Sequence, residues 1–380
     1  MIAGGALGFY EFFAGGGMAR IGLGRNWSCR FANDFDPLKA AAYLGNFAGA
    51  RDHFRNCDVW DLRPADLPGR ADLAWASSPC QDFSLAGARA GLNGGRSSAF
   101  FGFWRLMEGL AAERRAPRAI VIENVGGLLT SHGGADFTAL CAALAGQGYS
   151  FGALEIDAAH FLPQSRPRVF VIAVRAAPDP GLLGDSPFQT RAVRAAVARL
   201  PPGLAARWLW WRLEAPARRN TDLAAVLEAA DAMPWHDQAR TERLLSLMSP
   251  LHRRRLDALC AARGQAVGTV YRRTRLREGR RVQRAEIRFD GLAGCLRTPR
   301  GGSSRQTVIV VEDGTVRTRL LTSREGARLM GLPETYRPPA GATAAFHVMG
   351  DGVAVPVVRW LAQTLLEPLL GASGEVLAAE

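Results

Sequence analysis

With 380 residues, 48% of them hydrophobic, the chain can bury a sizeable core, which excludes an extensively disordered protein and leaves room for one large and one smaller domain. The formal net charge of +12 comes from 47 basic residues, all arginine except Lys39, against 35 acidic ones. Residues 181–300 hold 23 arginines against 11 acidic residues, so the excess sits in the middle of the chain, where it would attract a phosphate backbone.

The N-terminal residues Met1 to Phe9 are apolar but carry no basic n-region, so they are expected to enter a core strand rather than form a signal sequence. No apolar run is expected to reach the length of a membrane span. Cys29, Cys57, Cys80, Cys141, Cys260 and Cys295 are scattered, with no CxxC pair and no zinc-type spacing. Reduced thiols in a cytoplasm follow, with no metal site.

From the N-terminus, the strand-like run Leu7 to Phe12 leads into Phe13-Ala14-Gly15-Gly16-Gly17. Such a turn lets backbone approach a ligand closely. A second strand ends at Asn33-Asp34-Phe35-Asp36, placing an acidic side chain where ribose hydroxyls could be bound. This arrangement serves dinucleotides and S-adenosylmethionine alike, although the spacing is not GxGxxG. Asp34 could instead cap a turn or helix before Pro37.

Next come Asp58-Val59 and the buried-looking strand Asp72 to Ala76, which is followed by Pro79-Cys80-Gln81 and a glycine-dotted loop to Ser98. A cysteine after a strand, rigidified by proline and followed by a loop able to cover it, is a candidate thiolate nucleophile. Taken alone, it is more often a small core residue. Phe100, Phe103, Trp104, Met107, Leu110 and Ala111 form an apolar stripe at helical spacing. The strand Ala119 to Ile122 ends in Glu123-Asn124. A further helix contains Leu140 and Leu144 and is closed by Gly146 or Gly148. Strands Tyr149 to Ile156 and Val169 to Val174 flank Gln164-Ser165-Arg166-Pro167-Arg168. This alternation predicts a parallel α/β sheet covered on both faces.

A linker is expected at Ala177 to Pro180, followed by a helix over Arg191 to Leu200. Trp208, Trp210 and Trp211 are expected in the core of a small domain. Arg253 to Arg255 are assigned to a solvated helix face, and the arginine-dense Arg272 to Arg288 to paired strands. Val308 to Val311 reads as a strand, Ser323 to Met330 as a helix and Val355 to Leu370 as a closing helix.

In this order, the clusters at 13–17, 33–36, 79–81, 123–125 and 164–168 resemble the motifs of the DNA (cytosine-5) methyltransferases, as do Arg319 to Pro333 and Gly350 to Val353. The resemblance covers about 1–175 and 295–365. It implies a Rossmann-like catalytic domain over 1–180, a basic target-recognition domain over 181–320 and a returning segment over 321–380, with DNA lying between the two domains. It also implies methyl transfer from S-adenosylmethionine to carbon 5 of a cytosine flipped out of double-stranded DNA, with Cys80 as nucleophile.

By the same resemblance Glu123 contacts the ring, Asn124 fixes neighbouring backbone, and Arg166 and Arg168 sit at the catalytic centre. Phe13, Gly15, Gly17, Asp34, Phe35, Asp58, Val59, Asp351 and Val353 would hold the cofactor. Gln81, Ser84, Arg96, Arg272, Arg273, Arg275 and Arg305 would meet DNA, most of the middle arginines facing phosphate or solvent. Two departures stand out: Gly350-Asp351 where Gly-Asn is usual, and Ser77-Ser78 before Pro79. The expected setting is a bacterial or phage cytoplasm, with the chain a monomer acting either as an orphan enzyme or beside a cognate restriction endonuclease encoded nearby. A tRNA methyltransferase and an inactive DNA-binding homologue are the alternatives.

Overall fold

The computed structural model describes residues 6–78, 99–217, 222–229, 233–277, 279–298 and 305–371. Cys80, Gln81, Ser84 and Arg96 lie outside them, as does the side chain of Arg275. By compactness the chain forms two units: Met1–Asp157 with Pro167–Ala217 and Gly352–Glu380, and Ala158–Arg166 with Arg218–Asp351. Charge divides with them. The second unit holds 25 arginines against 14 acidic residues, an excess of 11, whereas the first holds 22 basic against 21 acidic.

Seven strands build the first unit: β1 (Leu7–Phe12), β2 (Trp27–Asp34), β3 (Phe54–Asn56), β4 (Leu73–Ala76), β5 (Ala119–Asn124), β6 (Ser150–Asp157) and β7 (Pro167–Val174), in the order β3-β2-β1-β4-β5-β7-β6. The five strands β3 to β5 in that order are parallel, and β1, β4 and β5 are buried along their whole length, as unbroken apolar runs require. β7 departs from the all-parallel expectation because it runs antiparallel to both β5 and β6. Nine residues join β6 to β7, too few for a helical crossover, so the chain must turn back.

Helices α1 (Met18–Leu23) and α2 (Pro37–Asn46) follow β1 and β2, and the two expected helices are present as α3 (Ala99–Ala112) and α4 (Ala135–Gly146). Phe103 and Trp104 of α3 and Leu140 and Leu144 of α4 share one core with Tyr10, Ile120, Ile122 and Val171. The chain leaves α4 through Gly148, at φ 81°.

The boundary expected at residue 180 lies inside this unit. Phe151 and Trp208 form a β-bridge, and a Cβ on Gly152 would lie 2.0 Å from the Leu209 carbonyl oxygen, so only glycine lets the two segments meet. Trp208 packs on Phe137 and Phe151, while Trp211 is 1% exposed and donates Nε1–H to the Ile172 carbonyl at 3.3 Å. The tryptophans therefore belong to the core of the larger unit, not to a small domain.

From 321–380, only Gly352 onward clusters with this unit, where Arg359 donates from Nε to the Gly22 carbonyl (2.7 Å) and from Nη2 to the Ile21 carbonyl (2.9 Å), closing α1. The stretch Ala342–Leu370 does have the length and composition of a membrane span, contrary to expectation, but its most apolar 18-residue window, mean hydropathy 1.3, is 61% buried in the protein.

The second unit contains an antiparallel sheet, β11-β10-β8-β9, made of β8 (Gln265–Arg277), β9 (Arg280–Arg288), β10 (Thr307–Glu312) and β11 (Thr315–Leu320). Helices Gln238–Ser246 and Pro250–Ala261 cover one face, where Leu244, Met248 and Leu256 meet Val270, Ile287 and Ile309. Among the described residues only β9 pairs with β8 beyond Val270, so a two-stranded ribbon continues past β10.

Candidate active site

Burial along β1 and β2 brings two loops together at the carboxyl ends of the strands, where open α/β sheets bind ligands. The Ala14 N–H donates to the Asn33 carbonyl (2.9 Å), and the Gly15 N–H to Asp34 Oδ2 (2.8 Å). The second Asp34 oxygen accepts from the Asp36 N–H at 2.9 Å. Asp34 is thus a clamp on the glycine turn, with lone pairs remaining on each oxygen. Burial pushes its carboxyl above the usual range, against the pull of Lys39.

The helix cap itself is Asp36, which accepts from the Leu38 N–H. Phe13 holds φ 56°, a conformation that strains a bulky residue and recurs where function over-determines backbone. Gly17, at φ 80°, admits no Cβ, because Phe47 would lie 2.2 Å away. Phe35, next to Asp34, is 66% exposed, a large ring left uncovered at the rim.

Asp58 and Val59 have evident structural duties. Asp58 caps the short helix Val59–Asp61 through the Trp60 N–H at 3.0 Å, and the Val59 side chain is buried in the main core. Asn33, absent from the expected site, donates Nδ2–H to the Arg55 and Cys57 carbonyls (3.1 and 2.9 Å) and so holds the loop bearing Asp58. An asparagine at a strand end, beside the acidic residue, was the available signal.

A few strands across, β5 ends with Glu123 and Asn124 buried to 5% and 3% exposure. Asn124 turns its carboxamide onto the loop after β4, donating Nδ2–H to the Ser78 carbonyl (3.1 Å), while its Oδ1 accepts from the Val125 N–H (2.8 Å). The residue that is tethered is two before Cys80. Glu123 pairs with Arg168 on adjacent β7, Nε to Oε1 3.2 Å, both side chains largely shielded. A carboxylate, a guanidinium and an amide are therefore collected at the end of β4, β5 and β7, all within the first unit.

Arg166 behaves differently from its expected partner. It belongs to the second unit, is 1% exposed, and donates to the Leu296 carbonyl (2.9 Å), the Gly350 carbonyl (2.8 Å) and Cys295 Sγ (3.2 Å). A guanidinium that donates to two backbone carbonyls and a sulfur is a brace within the second unit. Gln164 braces alongside it, donating to the Leu329 carbonyl and accepting from the Leu296 N–H.

Arg305 is held similarly. It donates to the Leu321 carbonyl (2.7 Å) and lies over the Phe346 ring, and burial lowers its pKa, so this guanidinium is turned inward rather than outward to DNA. Asp351 accepts from the Thr298 hydroxyl within the second unit, and a Cβ on neighbouring Gly350 would lie 2.3 Å from the Thr298 nitrogen. Val353 is buried in the first unit. Arg273 pairs with Glu286 at 3.4 Å and covers Tyr271, whereas Arg272 points to the opposite face of the ribbon.

The family model for C-5 cytosine-specific DNA methylases matches residues 7–367. The chain belongs to that family. Its relatives include the Type II methyltransferase M.BsuFI of Bacillus subtilis, 25% identical over 97% of this chain and 75% of that protein, and M.NlaX of Neisseria lactamica, 25% identical over 96% and 97%. Among solved structures, S. pombe Dnmt2 methyltransferase superposes with a TM-score of 0.57 at 17% identity over 96% of this chain and 99% of that one, a likeness of fold. The sequence-based family and fold expectations are thereby met, and this methylase is a DNA (cytosine-5-)-methyltransferase.

Proposed function

We propose that this methylase modifies cytosine within a short sequence of double-stranded DNA, using S-adenosylmethionine and a covalent Cys80 intermediate. The observation that carries the reading is the cluster at the carboxyl ends of β4 and β5 and the amino end of antiparallel β7: Glu123 held by Arg168 at 3.2 Å, and Asn124 holding Ser78. Carbon 5 of cytosine is a poor nucleophile while the ring is aromatic. Addition of the Cys80 thiolate to carbon 6 makes the ring an enamine, whose carbon 5 can take a methyl group. Loss of the carbon 5 proton to water or hydroxide then restores the double bond and expels the thiolate.

S-adenosylmethionine supplies the electrophilic methyl group. The residues present fit it: the strained Phe13 turn and Gly15, which has open space where a Cβ would lie, let a ligand approach the strand ends, Asp34 keeps lone pairs toward a ribose, and exposed Phe35 offers a face to adenine. Glu123 would hold the cytosine edge, Arg168 would orient Glu123, and Asn124 would fix the backbone leading to Cys80. Arg166 contributes by positioning. The charge excess of their unit, and a two-stranded ribbon of a kind that fits a major groove, support DNA contacts by Arg272, Arg273 and Arg275 from the two faces of the ribbon. Flipping the target out costs a few kcal/mol, offset by binding.

The Type II names of its bacterial relatives support a restriction–modification role, beside a cognate endonuclease. The direct test is a duplex containing 5-fluorocytosine, incubated with protein and cofactor. A denaturant-stable protein–DNA adduct that Cys80→Ser abolishes is expected. Absence of the adduct with the unaltered protein would overturn the covalent mechanism, and methyl transfer to tRNA in preference to duplex would overturn the substrate. Bisulfite sequencing of an expressing host would report the sequence context.

A further inference from the structure

The glycine turn is flanked in sequence by two residues that meet each other. Glu11 on β1 precedes it, Arg20 on α1 follows it, and the Arg20 N–H donates to Glu11 Oε1 at 3.2 Å. The second carboxylate oxygen accepts from the Tyr43 hydroxyl at 3.1 Å, and the Tyr43 oxygen accepts in turn from Arg20 Nη1 at 3.1 Å. The same Nη1 lies 3.0 Å from His53 Nε2, which must be the acceptor because a guanidinium only donates. Side chains from β1, α1, α2 and the residue before β3 are thereby joined around the fully buried Tyr43.

Aromatic contacts connect this cluster to the turn itself. The Arg20 guanidinium lies 4.2 Å from the centre of the Phe47 ring, and that ring packs 4.7 Å from the ring of Tyr43. A Cβ on Gly17 would lie 2.2 Å from Phe47 and 3.1 Å from Tyr43, so these two rings are the surface against which the end of the turn rests. Asp34 clamps the turn at Gly15 and the Glu11 cluster supports it at Gly17. Only the first of these attachments is explained by ligand contact.

We infer that Glu11, Arg20 and Tyr43 are positioning residues for the cofactor, holding the turn from Phe13 to Gly17 in the form that binds it. The inference rests on the reading of that turn as the S-adenosylmethionine site. A proton on Glu11 removes one of the two acceptors the cluster uses, so the ionised carboxylate holds the turn and the protonated one releases it. Glu11 is faced by Arg20 from α1, Tyr43 from α2, and Cys29 and Asp34 from β2, while its neighbour on β4 is Trp75. Burial, then Glu11, pushes the Cys29 thiol up to about 12, burial raises Tyr43 as well, and burial, then Arg20, lowers His53. These three are neutral near pH 7, where Glu11 changes charge.

The test measures binding of S-adenosylhomocysteine, the cofactor without its methyl group, by calorimetry. It compares the unaltered chain with Tyr43→Phe, which keeps the ring packed on Phe47 and Phe54, and with Glu11→Gln. Tyr149→Phe is the control: it removes another buried hydroxyl bond, 2.7 Å to the Pro117 carbonyl, beside the far edge strand β6. Tyr43→Phe is expected to bind about tenfold more weakly, whereas the control loses thermal stability but not affinity. In turnover, KM for S-adenosylmethionine should rise by a similar factor, with kcat at saturation and KM for DNA little changed.

From about pH 6 to 8 the unaltered protein should bind more tightly as Glu11 ionises. Glu11→Gln should give a flatter profile, since the raised Asp34 contributes equally to both proteins. Unchanged affinity in Tyr43→Phe, or equal pH profiles with and without Glu11, overturns the inference while leaving the cofactor site in place. Failure of the unaltered protein to bind overturns the cofactor reading, and the inference with it.

Discussion

The Asn124 carboxamide donates to the Ser78 carbonyl across 3.1 Å, linking the end of β5 to the backbone that leads into Pro79 and Cys80. The same side chain accepts from the Val125 N–H, so neither end of its amide can rotate without losing a buried hydrogen bond. Geometry of this kind allows a residue that need not touch the substrate to set where a nucleophile stands.

Asn124→Ala should therefore slow turnover more than it weakens binding. The lost hydrogen bonds are each worth about 1–3 kcal/mol where the partner is left buried. A fall in kcat of about 10- to 100-fold with little change in KM for DNA is expected in single-turnover assays. An unchanged kcat would show that the tether does not matter for chemistry.

Glu123 and Arg168 should act as a unit. In a double-mutant cycle, Glu123→Gln and Arg168→Ala are each expected to abolish most activity, and the double variant to be little worse than either alone. A coupling of about 1–3 kcal/mol in transition-state stabilisation measures their 3.2 Å contact. Strict additivity would mean that the two residues work independently.

Arg166→Ala addresses the brace. Leaving the Leu296 and Gly350 carbonyls without their donor inside a buried site should cost about 1–3 kcal/mol for each, visible as a lower Tm. A variant with unchanged Tm and lost kcat would instead place the guanidinium in the reaction. Arg166→Lys, which keeps the charge but not the fork, should rescue only part of the stability.

Glu11 carries a pH dependence. It is buried in β1, accepts from the Arg20 N–H and the Tyr43 hydroxyl, and burial raises its pKa from 4.5 to about 7 although nearby Arg20 opposes this. Between those two values the folded chain holds a proton that the unfolded chain releases. Its contribution is therefore fully present below about pH 4.5 and is lost as pH rises to about 7, on the order of 3 kcal/mol in all. Chemical denaturation from pH 5 to 8 should show this decline in the unaltered protein and a flatter profile in Glu11→Gln. A decline of equal size in the variant would remove Glu11 as its source.

Much of this methylase can be read along the chain, because parallel strands bury both faces and so declare themselves as unbroken apolar runs, as in Ala119 to Ile122. The family motifs are local too: Phe13 to Gly17, Asp34 and Glu123-Asn124 occupy strand ends whose positions follow from those runs. What required the folded chain were relations between distant segments. Trp208 to Trp211 look like the core of a separate domain until Gly152 is seen admitting the Leu209 backbone to the main sheet. Arg166 and Arg168 are two residues apart and alike in type, yet one sinks into carbonyls at 296 and 350 while the other reaches Glu123. Glu11, Arg20 and Tyr43 become one cluster only when their three elements pack together. A side chain's type limits which partners it can have, but long-range packing chooses among them, and no local pattern encodes that choice.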